Sequence, residues 1–426
     1  MVGRYCKGKG LNLKGGGAKL PQLPEKLQNT LYHDVSLPEE VKRVRAEARE
    51  FAEKEVEPQA YAFDSQEESA GSFPTELFSR MAVQGLFQIP FSTECGGRGL
   101  KHPMCAAAAV EEELAYASNS IAAIYDCQCI LPGSSLLYAS KELQTEYLVP
   151  LAKGEKIACF AVTEPEAGSD LSAKTVKTTA TRRGERWIIN GRKRFIVNAP
   201  VADFGSILCL TDGTLSMFVV DLHERGVRVG EPDRKMGIKA CLTADICFDD
   251  VEVPQENLIW GLGKGLHIAL GSLTRGRIVI AATGVGMAQA AFDVSVDYMK
   301  KRELFGKKVA QHQYWRFKLA EWATEIEAAR NLCYKAAYRY DQGVEFPEPE
   351  TAMAKYFATQ VASDIAGDAV QIFGGYGFMS QLAADKSTYK VEQIYRDCAT
   401  ARIYEGANEV QKWVIARQIF GRELTL

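Results

Sequence analysis

The chain has 426 residues, long enough for two or three packed units. Hydrophobic residues make up 46% and charged residues 25%, the balance of an ordinary soluble globular protein. A formal net charge of −3 gives no global attraction for nucleic acid. Eleven cysteines are scattered without a small-scaffold framework, which implies reduced thiols and a cytoplasmic compartment, with the mitochondrial matrix as the alternative. Cys127-Gln128-Cys129 has the wrong spacing for a zinc knuckle and the histidines do not cluster, so no metal is assigned.

Residues 1–35 read as a basic, glycine-rich arm. It carries Arg4, Lys7, Lys9, Lys14 and Lys19 but neither a signal peptide's apolar core nor an amphipathic transit helix. Residues 36–155 read as an all-helical unit. Ser36 is placed to cap a first helix with Pro38 in its first turn, and Pro58 is expected to end it. Ile121 to Ala139 has the pattern of a buried helix. Asp126 within it either lines a ligand pocket or is a core polar group with partners of its own; the second is the expectation.

The texture changes at Lys156. Short alternating or β-branched runs, punctuated by Arg183-Gly184 and Asn190-Gly191, predict an antiparallel β-barrel or sandwich over residues 156–264. From Gly265 the apolar period returns to 3.6. Leu266 to Gly271, Arg277 to Lys301, Gln313 to Gln342, Thr351 to Gln371 and Glu409 to Phe420 predict a four-helix bundle over residues 265–426. The fold class is therefore α+β and multidomain, helical, then β, then helical. No apolar run reaches the length of a membrane span. Gly284-Val285-Gly286 lacks the third glycine of a dinucleotide fingerprint and reads as a close helix-packing point.

One stretch stands out chemically, Ala399-Thr400-Ala401-Arg402-Ile403-Tyr404-Glu405-Gly406-Ala407-Asn408-Glu409. A carboxylate set among apolar and small residues is desolvated, which raises its pKa and makes it a better base. Taken alone, the same stretch is equally a helix-entry turn with a solvated glutamate.

Three further stretches precede it: Phe160-Ala161-Val162-Thr163-Glu164-Pro165-Glu166-Ala167-Gly168-Ser169-Asp170, Arg302-Glu303-Leu304-Phe305-Gly306 and Gln371-Ile372-Phe373-Gly374-Gly375-Tyr376-Gly377. In this order and spacing, the four resemble the acyl-CoA dehydrogenase family from about Ser36 to the C-terminus. The resemblance implies FAD as cofactor and α,β-dehydrogenation of an acyl-CoA thioester. Glu405 would remove the α-proton while the β-hydrogen leaves as hydride to the flavin. It implies that Phe160, Val162, Thr163 and Ser169 line the flavin and phosphate region and that Phe195 and Val197 cover the flavin face. Arg302, Phe305, His312 and Gln313 would hold the nucleotide part from a neighbouring subunit, and Gln371, Gly374, Gly375, Ala407 and Glu409 would complete that pocket. Ser169, Arg277 and Gly406 would meet the substrate, although Arg277 alone is equally a helix-face charge. Electron-transferring flavoprotein would accept the electrons, and a homodimer or homotetramer follows, with no nucleic acid or membrane partner.

Some positions depart from the family pattern. Gly276 stands where some members carry their base, so Glu405 has no rival there. Val197 replaces a usual hydroxyl residue, Ala407 a usual threonine and Glu166 a usual glycine, and the chain between Phe378 and Val391 is about seven residues longer than the common pattern. An acyl-CoA oxidase and a catalytically silent flavin- or CoA-binding relative are the rival readings.

Overall fold

The computed structural model describes residues 36–425; the basic arm lies outside them. The first helix, α1 (Glu39–Phe51), begins one residue after Pro38, with Glu39 and Glu40 in its first turn, where acidic groups complement the helix dipole. No side chain caps it, so Ser36 does not play the expected part. Pro58 does not stop the chain's helical course either. A wide π-type turn over Ala52–Val56 separates α1 from α2 (Glu57–Ser65). Pro58 thus falls in the first turn of α2, where its missing N–H is not needed.

After α3 (Thr75–Val83), α4 (Pro103–Ala117) is buried along almost its whole length. The predicted buried helix is real but composite. It runs as α5 (Asn119–Tyr125), a π-type turn over Asp126–Ile130 and α6 (Leu131–Leu136). Such bulges re-aim side chains within a helix and recur at functional sites. Two short helices, α7 (Lys141–Leu143) and α8 (Val149–Lys153), close the unit.

The middle unit is one seven-stranded sheet. Its strands are β1 (Ala158–Ala161), β2 (Thr179–Arg183), β3 (Arg186–Val197), β4 (Phe204–Thr211), β5 (Thr214–Asp221), β6 (Val227–Val229) and β7 (Thr243–Pro254). The order is β1-β4-β2-β3-β7-β6, with β5 paired to β4. Most pairs are antiparallel as expected, but β1 runs parallel to β4 and β2 meets β4 in a short parallel contact at Thr179 and Leu210, so the sheet is mixed. The reason is the connection: residues 162–178 leave β1 as a long loop instead of a tight turn, and β1 takes a remote partner. Trp187, Ile189, Ile207, Phe218, Ile246 and Phe248 fill one face of the sheet.

The C-terminal unit is built on α9 (Gly265–Lys301), a single 37-residue helix in place of the two expected pieces. It is long and apolar enough to cross a membrane, contrary to the sequence expectation, yet 94% of its most apolar window is buried inside the molecule. A helix apolar all round is a core helix. Close approach explains its glycines. A Cβ at Gly284 would lie 2.7 Å from the Ala358 backbone, and one at Gly286 2.4 Å from the Glu112 carbonyl. A hairpin, β8 (Glu303–Leu304) and β9 (Lys307–Lys308), leads to α10 (Gln313–Asp341). Then come α11 (Glu350–Phe373), α12 (Gly375–Phe378), α13 (Val391–Ala401) and α14 (Asn408–Phe420). The extra residues after Phe378 fold back on themselves, with the Leu382 N–H donating to the Ser387 carbonyl at 2.8 Å.

The two helical units are bolted together by buried charge. Arg45 of α1 reaches Glu112 of α4 at 2.6 Å, and Arg330 of α10 reaches the same carboxylate at 3.1 Å.

Candidate active site

Glu405 lies in the turn between α13 and α14. Its φ is +53° and that of Gly406 is +92°, so two successive residues are left-handed. A non-glycine residue holds that conformation only when its surroundings impose it. Here they do. Arg277 Nε donates to the Glu405 carbonyl at 3.2 Å, and Lys355 Nζ and Gln411 Nε2 each donate to the Gly406 carbonyl at 2.9 Å. The Asn408 N–H closes the turn on the Arg402 carbonyl at 3.0 Å. Among the described residues, the Glu405 N–H has no acceptor.

The Glu405 side chain runs inward against α9. A Cβ at position 276 would fall 1.9 Å from Oε2, so glycine is what leaves room for the carboxylate. Both its oxygens are shut off from solvent and without a partner. Burial pushes this carboxyl above the ordinary range, opposed by Asp126 beside it and by the charges of Lys355 and Arg277.

Asp126 meets the expectation of a core polar group with partners only in part: its Oδ2 accepts from the Cys127 thiol at 3.7 Å. It is fully buried and its Oδ1 has no partner. Burial first, then the Glu405 charge, drives its carboxyl well up. Glu111 of α4 behaves alike: burial raises it, the Thr283 hydroxyl at 2.6 Å opposes this, and the Glu405 charge adds to the rise. Three acids this close cannot all ionise. Lys355 and Arg277 oppose the rise at Glu405, whereas the Glu405 charge adds to the rise at Asp126.

Arg277 and Gly406 also line a cavity of about 800 Å³ that runs beside α14. Ser169 lies on its far wall, so the three residues expected to meet substrate share one space. Leu266, Leu270 and Leu273 of α9 and Val410, Trp413 and Val414 of α14 supply apolar wall. Arg277 is further tied to Glu348 at 3.5 Å.

The expected cofactor residues fall into separate groups. Arg302, Gln371, Gly374 and Gly375 line a second cavity of about 430 Å³ with Tyr298, Phe373, Tyr376 and Leu382. Phe160, Val162 and Thr163 at the end of β1 adjoin β3. The Arg194 N–H donates to the Thr163 carbonyl at 2.9 Å, and the Arg194 guanidinium lies 4.6 Å from the ring centre of Phe195. Phe195 itself is left-handed and exposed, and Val197 is half-buried opposite Thr243. Ala407 and Glu409 start α14 and line neither cavity. Phe305, at the tip of the β8–β9 hairpin, is 96% exposed, and neither it nor His312 and Gln313 reach the second cavity. The single chain does not bring these groups into one space.

Sequence reasoning missed Lys355, Gln411 and Glu111. Lys355 had a signal: a lone lysine inside the alanine-rich apolar run of α11, where it is fully buried. Gln411 and Glu111 had none, since polar residues on amphipathic helices are usually solvated.

Residues 38–155, 159–251 and 263–420 match family models described as the N-terminal, middle and C-terminal domains of acyl-CoA dehydrogenase. The chain is 41% identical to a 3-(aryl)acrylate reductase of Clostridium sporogenes, over 88% of this chain and 97% of that one. It is 40% identical to the caffeyl-CoA reductase-Etf complex subunit CarC of Acetobacterium woodii, over 89% and 97%. The solved structure of butyryl-CoA dehydrogenase from Megasphaera elsdenii superposes with a TM-score of 0.84 at 33% identity, covering 91% of this chain and 100% of that one.

Proposed function

This chain belongs to the acyl-CoA dehydrogenase family of enzymes, and from that premise we propose that it is an FAD-dependent enzyme in which Glu405 removes the α-proton of an acyl-CoA thioester. The observation that carries the reading is the setting of Glu405, a buried carboxyl raised by its surroundings, beside two cations and followed by Gly406, which lines an 800 Å³ cavity. A general base works best when its pKa is lifted toward the working pH.

The residues present fit FAD. Gly374 and Gly375 have no atom within 4 Å of a built Cβ, which leaves an open cradle beside Arg302 and Gln371. Phe160, Val162, Phe195 and Val197 offer apolar and aromatic surface on β1, β3 and the loop after β1. Bound FAD supplies the two-electron acceptor for the β-hydrogen. The chain's own part is to bind and orient the thioester, exclude water and take the proton. The unengaged N–H of Glu405 is available to the thioester oxygen as charge develops there. Removing such a donor typically lowers the rate about 10²–10³-fold.

The exposed Phe305 hairpin and the separate groups of cofactor residues support a site completed by a second copy of the chain. Electron-transferring flavoprotein is the proposed redox partner, as the name of the A. woodii relative suggests.

Two of the relatives are named as reductases, which favours a second reading in the opposite direction. There, protonated Glu405 would deliver its proton to the α-carbon of an enoyl thioester. Anaerobic bleaching of the purified yellow protein by a panel of acyl-CoA thioesters, and reoxidation by enoyl-CoA thioesters, tests both. Glu405→Gln is expected to slow either process at least about 10³-fold. A colourless protein, or a Gln variant as fast as the parent, rejects the proposal.

A further inference from the structure

We propose that Lys355 is a positioning residue for the base: by holding the Gly406 carbonyl and the Asn408 side chain, it fixes the left-handed turn that aims Glu405. The inference rests on Glu405 being the base and goes beyond it.

Lys355 is fully buried on α11, the helix packed along α9. Its Nζ donates to the Gly406 carbonyl at 2.9 Å and to Asn408 Oδ1 at 3.1 Å. Thr359, one turn further along α11, donates to the same Asn408 Oδ1 at 3.1 Å. Asn408 is the first residue of α14. Two side chains of one rigid helix therefore grip both the turn and the start of the helix that follows it. A buried ammonium is unfavourable unless it has a task or a partner. No carboxylate forms an ion pair with Lys355 among the described residues; its bonds go to a carbonyl and an amide. Burial pulls its pKa down to about 7, against the attraction of Glu405 and Glu409 and with the repulsion of Arg277. A lysine bonded to the carbonyl of the residue that follows a left-handed glutamate serves the geometry of that turn.

The test separates aiming from redox chemistry. Acetyl-CoA has α-hydrogens and no β-hydrogen, so it exchanges without oxidation. An α-C–H bond breaks, its electron pair is held in the thioester enolate, and the proton moves to Glu405. A deuteron returns from solvent by the same path. Exchange of acetyl-CoA in D2O is followed by NMR with the purified holoenzyme, its Glu405→Gln variant and three others. Lys355→Met is expected to slow exchange at least tenfold while the KM for a dehydrogenated acyl-CoA changes by less than twofold. Lys355→Arg is expected to recover part of the rate, since it restores a buried donor. Thr359→Val, which removes only the second donor to Asn408, is expected to slow exchange about threefold, and it decides the matter should Lys355→Met not fold. If Glu405→Gln abolishes exchange while Lys355→Met and Thr359→Val both exchange at the parental rate, the inference fails and the base assignment stands. If Glu405→Gln leaves exchange unchanged, the base assignment fails and takes this inference with it.

Discussion

Gly276 shows how little space lies behind the base. A methyl group there would sit 1.9 Å from Glu405 Oε2, so Gly276→Ala must push the carboxylate aside. Misplacing a reacting group by about 1 Å lowers rates roughly 10²-fold. We expect that loss in kcat with little change in melting temperature, because alanine is the better helix former by about 1 kcal/mol. Thermal melts beside steady-state rates check this, and a variant of parental activity would show that Glu405 lies elsewhere. The acids around Glu405 also bear on substrate choice. Burial and the neighbouring Glu405 charge raise the carboxyls of both Glu111 and Asp126. An acyl chain bringing a further carboxylate past Glu405 would meet the same penalty. Glutaryl-CoA is therefore expected to turn over at least 100-fold more slowly than pentanoyl-CoA, of equal chain length. Comparable kcat/KM values for the two would mean that the acyl group avoids this cluster.

At the scale of elements, the loop of residues 162–178 between β1 and β2 is pinned by a buried ion pair. Lys193 Nζ on β3 meets Glu164 at 2.8 Å, and their side chains are 0% and 4% exposed. Glu164 also accepts the Lys177 and Thr178 N–H groups at 2.6 and 3.0 Å. Removing one partner of such a pair leaves a buried charge and costs about 3–5 kcal/mol. Lys193→Met is expected at about 3 kcal/mol, the low end, because the two backbone donors remain. Denaturant unfolding measures it, together with weaker FAD retention if this loop lines the flavin. The short strands of this unit were legible from their alternation, as in Arg186 to Asn190. The parallel partner of β1 was not, since alternation records which face is buried and not which strand lies alongside. Helix α13 was missed for a related reason. Its buried face includes Gln393 and Asp397, and Asp397 is there to accept the Ile238 N–H at 2.6 Å. Burial raises that carboxyl to about 7, so a group that reads as solvent-facing is an interior link.

For the whole molecule, the proposed nucleotide site depends on association. Phe305 is 96% exposed in a left-handed conformation, between Arg302 and the helix that begins at Gln313. Under that proposal Phe305 is a residue that a second copy of the chain would cover. Phe305→Glu is expected to lower both the assembly state and the bound FAD per chain, read by light scattering and absorbance on one sample. A variant that keeps its mass and its colour would remove Phe305 from the interface. The order of helical, β and helical units was readable from one chain because apolar period reports how each segment meets the core. The Glu405 stretch was readable because an acid among small apolar residues is rare enough to stand out. Which charges face that acid was decided only by the fold. Asp126, Arg277 and Lys355 come from three helices far apart in sequence, and burial and electrostatics act through distances that no local pattern contains.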